Sequence, residues 1–190
     1  IGDGVSSVGD LTGNTQAVFA SAIAALPATG GIIYVKSGTY NFSSAVTIDR
    51  PVLFIGESRN GVVINDNVAG NVVFNVNMPN PGMTSGFQNV QIAIGTGAAP
   101  AIQITGPQNK LVLENATIPG VNVSLTGNSF ASIIAVDCTF TATGASCLTV
   151  DATDSLNDSM FYRCVFSTAT NATNCVLGSF NRVCFEACSF

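Results

Sequence analysis

Three charged residues in the second half of the chain have types and spacing that could support catalysis. They are Glu114, Asp137 and Arg163, each about one sequence repeat from the next. Paired carboxylates at a fixed separation hydrolyse glycosidic bonds, and a basic residue beside a Ca²⁺ site can act as a proton acceptor. We therefore take Glu114, Asp137 and Arg163 as candidate catalytic residues. The competing interpretation is that they only pair with one another at the surface.

A second acidic group, formed by Asp151, Asp154 and Asp158, is a candidate metal site within one predicted loop. Its spacings of three and four residues do not match a known Ca²⁺ loop, and a solvated acidic loop is the simpler interpretation. The chain contains no histidine, which excludes Ser-His and Cys-His catalysis within it. No phosphate-binding glycine loop precedes a helix, and we expect no cofactor.

The six cysteines allow more than one interpretation. Five of them fall at predicted inward positions of strands, where cysteine acts as a small buried hydrophobe. Disulfides between neighbouring strands remain an alternative, because strand spacing lies within the range that a disulfide spans. Zinc is disfavoured, since there is neither a C-x-x-C pair nor a histidine.

The elements that position these residues come from one pattern that occurs five times between Phe87 and Phe190. Each copy is an apolar residue, two mostly polar residues, a small apolar residue, a polar residue and a large apolar residue. The copies are 87–92, 113–118, 135–140, 161–166 and 185–190. A repeat near 24 residues indicates a stacked fold in which each repeat contacts only its neighbours.

Within each copy the side chains alternate as they do in a strand, and no helical period fits. The two polar residues predict a corner between short strands, with Asn89, Asn115 and Asp137 stacked in the left-handed conformation. This predicts an all-β fold, a right-handed single-stranded parallel β-helix with about three strands per coil. The inward positions after the corner then form two ladders: Val90, Ala116, Cys138, Cys164 and Cys188, and Ile92, Ile118, Phe140, Phe166 and Phe190.

A second series predicts strands on the far side of each coil. Ile102–Gly106 aligns with Val123–Gly127, followed by Leu148–Val150 and Val176–Gly178, and this places Cys147 beside Cys175.

The first part of the chain differs from the repeats. Residues 1–30 are predicted to form an N-terminal segment and a capping helix from Thr15 to Leu26, with Asn14 as its cap and Pro27 after it. Such a helix can cover strand edges at the end of a β-helix. Residues 31–190 are predicted to form the β-helix, as one domain of a longer chain.

Gly2-Asp3-Gly4, the helix with Thr15-Gln16-Ala17, and Gly30 to Tyr40 together resemble the start of pectate-lyase-like β-helix domains. That superfamily includes polysaccharide lyases and hydrolases as well as phage tailspikes and virion appendages. The chain departs from it at Gly13-Asn14, where the family usually has two aspartates, and at Lys36, where it usually has proline. The resemblance implies the fold and a virion or carbohydrate-related role.

Composition limits the possible functions. The chain has 6 basic and 11 acidic residues and a net charge of −5, which argues against nucleic-acid binding. No apolar run approaches the length of a membrane span. With the resemblance, this favours a structural, glycan-binding host-attachment protein at a virion surface, assembled as a homotrimer or with other virion proteins. The alternatives are a β-helix polysaccharide lyase or glycoside hydrolase, and a secreted or cell-surface adhesin or cell-wall-binding module.

Overall fold

The computed structural model describes residues 1–2, 4, 9–67, 72–94, 100–125, 129–142, 146–168 and 175–190. Within these ranges the chain forms one α-helix, α1 (Gln16–Ala25), and nineteen strands that are numbered here in chain order. All strand pairs between named strands are parallel, and three sheets run along the molecule. Asp3, in the N-terminal motif noted above, lies outside the described residues.

The three sheets contain seven, six and six described strands. Sheet 1 is β1 (Gly31–Val35), β4 (Val52–Gly56), β7 (Thr84–Gln88), β10 (Lys110–Glu114), β13 (Phe130–Val136), β16 (Ser155–Tyr162) and β19 (Phe180–Glu186). Sheet 2 is β2 (Gly38–Phe42), β5 (Val62–Asp66), β8 (Gln91–Ile94), β11 (Thr117–Ile118), β14 (Thr139–Ala142) and β17 (Val165–Thr168). Sheet 3 is β3 (Val46–Ile48), β6 (Phe74–Val76), β9 (Ile102–Ile104), β12 (Val121–Val123), β15 (Leu148–Val150) and β18 (Val176–Leu177).

Each coil therefore contributes one strand to each sheet, which confirms the predicted parallel β-helix. Alternate side chains point inward, as the burial of Leu111 and Leu113 beside half-buried Val112 illustrates for β10. The inward side chains of the three sheets fill one continuous apolar core. In that core Phe140 and Phe166 stack with ring centroids 4.8 Å apart. Phe190 stacks on Phe166 at 5.1 Å but is 69% exposed. The predicted stacking of the three rings is confirmed, whereas the prediction that Phe190 is buried in the core is wrong.

The corner between sheet 1 and sheet 2 is left-handed in five successive coils. The φ angles are 55° at Asn89, 47° at Asn115, 54° at Asp137, 50° at Arg163 and 54° at Ala187. Asparagine and aspartate reach this region more easily than most residues, because their short polar side chains form local hydrogen bonds. The corner prediction is confirmed, and the same geometry extends to an arginine and an alanine.

Helix α1 covers the first end of the core, as predicted. Its buried face, Val18, Phe19, Ala22 and Ile23, packs on the inward side chains of the first coils. The predicted cap is wrong: Thr15 is the N-cap residue and makes no side-chain capping hydrogen bond. The carbonyl of Asn14 instead accepts a hydrogen bond from the backbone of Asn41 at 2.6 Å. The start of the helix is thus held by β2 rather than by its own cap.

The predicted alignment of the second series is wrong by two residues. Ile102 pairs with Val121, not Val123, whereas Val121 pairs with Leu148 as the burial pattern requires. A shift of two residues leaves every side chain on the same face of the strand, so alternation alone cannot detect it. Cys147 and Cys175 still occupy neighbouring coils, because the alignment of β15 with β18 is as predicted.

The six cysteines are all free thiols. Cys138, Cys164 and Cys147 are buried, Cys175 and Cys188 are half-buried, and Cys184 is exposed. Burial raises the pKa of Cys147 and Cys188, which lowers the fraction of reactive thiolate at neutral pH.

We therefore expect one fast-reacting thiol in the native protein, that of Cys184, when it is titrated with an aromatic disulfide reagent. Cys184→Ser should remove the fast phase, and denaturation without reductant should expose all six thiols of the wild type. Fewer than six thiols in the denatured sample would show that disulfides form and would contradict the prediction.

Candidate functional site

A row of polar side chains follows the corner between sheet 1 and sheet 2. We call it the corner site and define it as Asn89, Asn115, Asp137, Arg163 and the neighbouring Tyr162, together with Arg59 and the two threonines that Arg59 contacts. Asn115 Nδ2 donates a hydrogen bond to Asn89 Oδ1 at 2.7 Å. One coil further along, Arg163 Nε donates to Asp137 Oδ1 at 2.6 Å, and its Nη2 donates to Oδ2. The corners thus stack their side chains as well as their backbones.

Arg59 belongs to the site although it is far away in the sequence. Its Nε donates to Thr117 Oγ1 at 3.0 Å, and its Nη2 donates to Thr117 Oγ1 and Thr139 Oγ1 at 2.8 and 2.6 Å. Nη1 reaches Asn115 Oδ1 at 3.5 Å. The guanidinium therefore bridges two adjacent coils, those of β11 and β14, on the outer face of sheet 2. Sequence analysis did not identify it, since Arg59 stands outside the repeats and has no nearby partner in sequence.

Tyr162 adds an aromatic surface beside the row. It is half-buried at the end of β16, and the guanidinium carbon of Arg163 lies 4.5 Å from its ring centroid. A cation over an aromatic face is held by attraction to the ring quadrupole. Arg163 is thus oriented by the carboxylate of Asp137 and by the Tyr162 ring together.

The electrostatics of the site favour an ionised carboxylate. The hydrogen bonds from Arg163 lower the pKa of Asp137, with smaller contributions from the charges of Arg163 and Arg59. The same hydrogen bonds raise the pKa of Arg163. A general acid needs a carboxyl group that stays protonated near neutral pH, usually through burial. The Asp137 side chain is 42% exposed and paired with Arg163, so it is suited to orienting ligands rather than to donating a proton.

Glu114, the third member of the candidate catalytic group, does not join this pair. It is the last residue of β10 and pairs in register with Val136, whereas Asp137 lies one residue later, in the corner. Its side chain is exposed and forms no ion pair with any described residue. The structure therefore brings together Asp137 and Arg163 of the predicted trio. A catalytic role for the three remains a prediction.

The acidic group of Asp151, Asp154 and Asp158 is not one loop. Asp151 and Asp154 form a turn in which the Asp154 N–H donates to the Asp151 carbonyl at 2.9 Å. Asp154 is buried, and its Oδ2 accepts the backbone N–H of Leu125 at 2.7 Å. Asp158 lies inside strand β16, so the predicted loop extends too far. Among the described residues, no group of three acidic, cysteine or histidine side chains could hold a metal ion.

Asp158 instead repeats the arrangement of the corner. It has a φ of 49° at an irregularity in β16, and Arg182, with a φ of 55°, follows in the next coil. Arg182 Nη2 donates to Asp158 Oδ2 at 2.7 Å, and Nε donates to Oδ1. Both aspartate–arginine pairs therefore join left-handed residues of adjacent coils, and the second pair is a natural control for the first.

We expect the pKa of Asp137 to rise toward its ordinary value in Arg163→Gln, because the hydrogen bonds that favour the charged form are removed. Its folded-state pKa lies below the unfolded value, so the pair stabilises the fold above the ordinary pKa and loses this contribution as the pH falls through the lowered one. A ¹³C NMR titration of the carboxyl groups measures both aspartates at once. Asp158 keeps Arg182 and should keep its low pKa. An unchanged pKa at Asp137 would contradict the assigned pairing.

No helix in the described ranges is long and apolar enough to span a membrane.

The sequence matches no protein-family model and no curated protein. Among solved structures it is similar to ORF18 of Geobacillus virus E2, with a TM-score of 0.56 and 15% identity over 90% of this chain and 46% of that one. Pectin methylesterase PemA from Erwinia chrysanthemi has a TM-score of 0.43, 14% identity and coverage of 90% and 66%. A pectin methylesterase in complex with a hexasaccharide has a TM-score of 0.45, 17% identity and the same coverage.

The chain thus spans about half of the viral protein and about two thirds of each esterase. At such low identity the likeness to the viral protein shows the fold alone, the parallel β-helix described above.

Proposed function

We propose that this chain is part of a structural protein at the surface of a virus particle, and that it attaches to a host glycan through the corner site without cleaving it. The observation that carries the binding mode is the engagement of both Asp137 carboxylate oxygens by Arg163. This arrangement presents fixed donors and acceptors but no protonated acid. The virion role is supported by the fold that this chain shares, over 90% of its own length, with 46% of a virus protein.

The chemistry of the corner site suits a hydroxyl-rich ligand. Asn89, Asn115 and Arg59 offer amide and guanidinium donors, and Asp137 offers an acceptor, in a row that repeats at the coil spacing of roughly 4.8 Å. Sugar hydroxyls both donate and accept hydrogen bonds, and the apolar face of a sugar ring packs on an aromatic side chain such as Tyr162. A row of this kind could contact successive sugars of an extended chain.

We further propose that the protein works as a homotrimer, or together with other virion proteins, on the virion surface. Weak individual sugar contacts gain avidity when several copies are held together. A host-attachment protein with this shallow site would depend on that gain.

The test is binding of the intact chain to an array of bacterial surface polysaccharides, followed by titration of the best glycan. Tyr162→Ala and Arg163→Gln should each weaken binding at least about tenfold, corresponding to about 1.4 kcal/mol. Arg182→Gln removes an equivalent surface pair away from the corner and should leave the affinity per chain unchanged. Equal affinity in all four proteins would exclude the corner site as the binding surface.

Cleavage is measured with the same glycans, by the appearance of new reducing ends or unsaturated uronates. We expect no product. Product that is lost in Glu114→Gln or Asp137→Asn would contradict the proposal and establish a polysaccharide-cleaving enzyme instead.

A further inference from the structure

The outer face of sheet 1 carries an apolar column that runs across all seven described strands. In register, its members are Ile32, Leu53, Gly86, Val112, Ile134, Met160 and Cys184. We call these seven residues the outer stripe. Ile32 is 51% exposed and Met160 39% exposed, so the stripe reaches solvent at both ends.

The other two sheets show that this composition is specific to one face. The equivalent outward column of sheet 3 is Thr47, Asn75, Gln103, Asn122, Thr149 and Leu177. That of sheet 2 is Thr39, Val63, Gln91, Thr117, Thr139 and Val165. Most members of both columns are polar, as expected for strands with one face in water. The stripe is interrupted by the buried Gly86, and Leu53, Val112 and Ile134 are half-buried, but no polar side chain enters it. An apolar row on a single outer face marks a surface that is covered in the working protein.

Strand β10 carries charged residues of opposite sign on the two sides of the outer stripe. Strand β10 places Lys110 outward before the stripe and Glu114 outward after it. Strand β19 has Arg182 before Cys184 and Glu186 after it, but the charge of Arg182 is paired with that of Asp158 on the same side. Neither Lys110 nor Glu114 forms an ion pair with any described residue. One rim of the face is therefore basic at the height of β10, and the other rim is acidic at the same height.

From these observations we infer that the outer stripe is the surface through which copies of this chain associate, side by side with parallel β-helix axes. A rotation about an axis parallel to the β-helix brings the basic rim of one copy against the acidic rim of the next at equal height. Lys110 of one copy then faces Glu114 of its neighbour. A two-fold axis perpendicular to the β-helix would bring like rims together, which is unfavourable.

The size of the face predicts a weak association rather than a permanent complex. Seven strands and about five residues per strand give a flat footprint of roughly 30 by 15 Å. This is smaller than the roughly 800 Å² that each partner buries in a standard interface. In a partner with the same coil spacing, the ridges of side chains fit those of this chain along the whole face. Such a partner also brings the opposite charges of Lys110 and Glu114 together. We accordingly expect an assembly that dissociates on dilution.

The corner residues lie one residue beyond the acidic rim, since Asn115 follows Glu114 directly. Tyr162 of the corner site stands in the same outward column as Glu114. In the associated form it would flank the seam between two copies. This inference rests on the proposed association of copies, but it does not depend on glycan binding.

The test is the mass of the 190-residue chain across a concentration series, measured by sedimentation equilibrium. The wild type should exceed the single-chain mass of 19.4 kDa at high concentration and approach it on dilution. Ile134→Lys, in the middle of the stripe, should remain a single chain throughout. Thr149→Lys makes the same kind of change on the outer face of sheet 3 and should behave as the wild type. A wild type that is a single chain throughout, or an Ile134→Lys that assembles like it, would overturn the inference.

Charge reversal tests the proposed orientation. Lys110→Glu and Glu114→Lys should each weaken association at least tenfold, because like charges then face each other across the seam. The double variant Lys110→Glu/Glu114→Lys should recover most of the loss, which a purely structural effect of either substitution would not produce. No recovery would overturn the parallel arrangement.

Glycan affinity measured on the single-chain Ile134→Lys protein separates the two proposals. If that protein keeps the wild-type glycan affinity per chain, the corner site binds glycan independently of association. If it loses the affinity, glycan binding depends on the contact between copies.

Discussion

Replacing Phe166 with alanine is expected to lower the free energy of unfolding by about 3–5 kcal/mol. The ring is 1% exposed and stacks on Phe140 at 4.8 Å with an angle of 6° between the planes. It also contacts Phe161 and Phe185 edge-on, at 5.6 and 5.8 Å between centroids. Truncation removes the buried apolar surface and leaves a cavity that stacked coils cannot easily close, because their spacing is set by backbone hydrogen bonds.

The measurement is reversible unfolding in urea, comparing midpoints at equal slope. Phe190→Ala is the matched control, because the same ladder position is 69% exposed there and should cost less than about 1 kcal/mol. A cost below about 1 kcal/mol at Phe166 would mean that the ring does not pack in the core.

The second large effect is expected at Phe19, where Phe19→Ala should also cost about 3–5 kcal/mol. Its fully buried ring lies at the end of the β-helix, and its centroid is 5.2 Å from that of Tyr40 and 5.0 Å from that of Phe42. It also reaches the rings of Phe54 and Phe74, at 5.8 and 6.1 Å. One helical side chain thus joins inward positions from all three sheets.

Loss of this ring should loosen the helix from the end of the core. We expect a lower unfolding midpoint and increased aggregation, since uncovered ends of a β-helix offer strand edges for pairing. Ser21→Ala changes an exposed position of the same helix and should stay within about 0.5 kcal/mol of the wild type. Equal stability of the two variants would show that the helix contributes little to the fold.

The repeat predicted much of this fold because each copy combines a strand period with a corner that restricts residue type. Asn89, Asn115 and Asp137 occupy the left-handed corner position. Phe140 and Phe166 occupy an inward position three residues after the corner, where their rings stack in the core. These are local properties: whether a side chain points inward depends on its own strand, and whether a corner forms depends on the two residues that make it.

The candidate site was only partly predictable. Asp137 and Arg163 occupy equivalent positions in adjacent repeats, so their pairing follows once the coils stack. Arg59 contacts residues 58 and 80 positions later in the sequence, and no local pattern connects them. Glu114 lies one residue before the corner, and this single step directs its side chain to the outer face of sheet 1 instead.

The sequence by itself determined which residues point inward, where the first corner recurs and how many strands each coil contains, because alternation and turn chemistry act within a few residues. Tertiary structure alone decided the register of Ile102 with Val121, the contacts of Arg59 with two distant coils and the alignment of the outer stripe. The physical reason is that a shift of two residues preserves the facing of every side chain. Contacts between coils therefore depend on how loops of unequal length return the chain to the stack, which residue types within a strand do not specify.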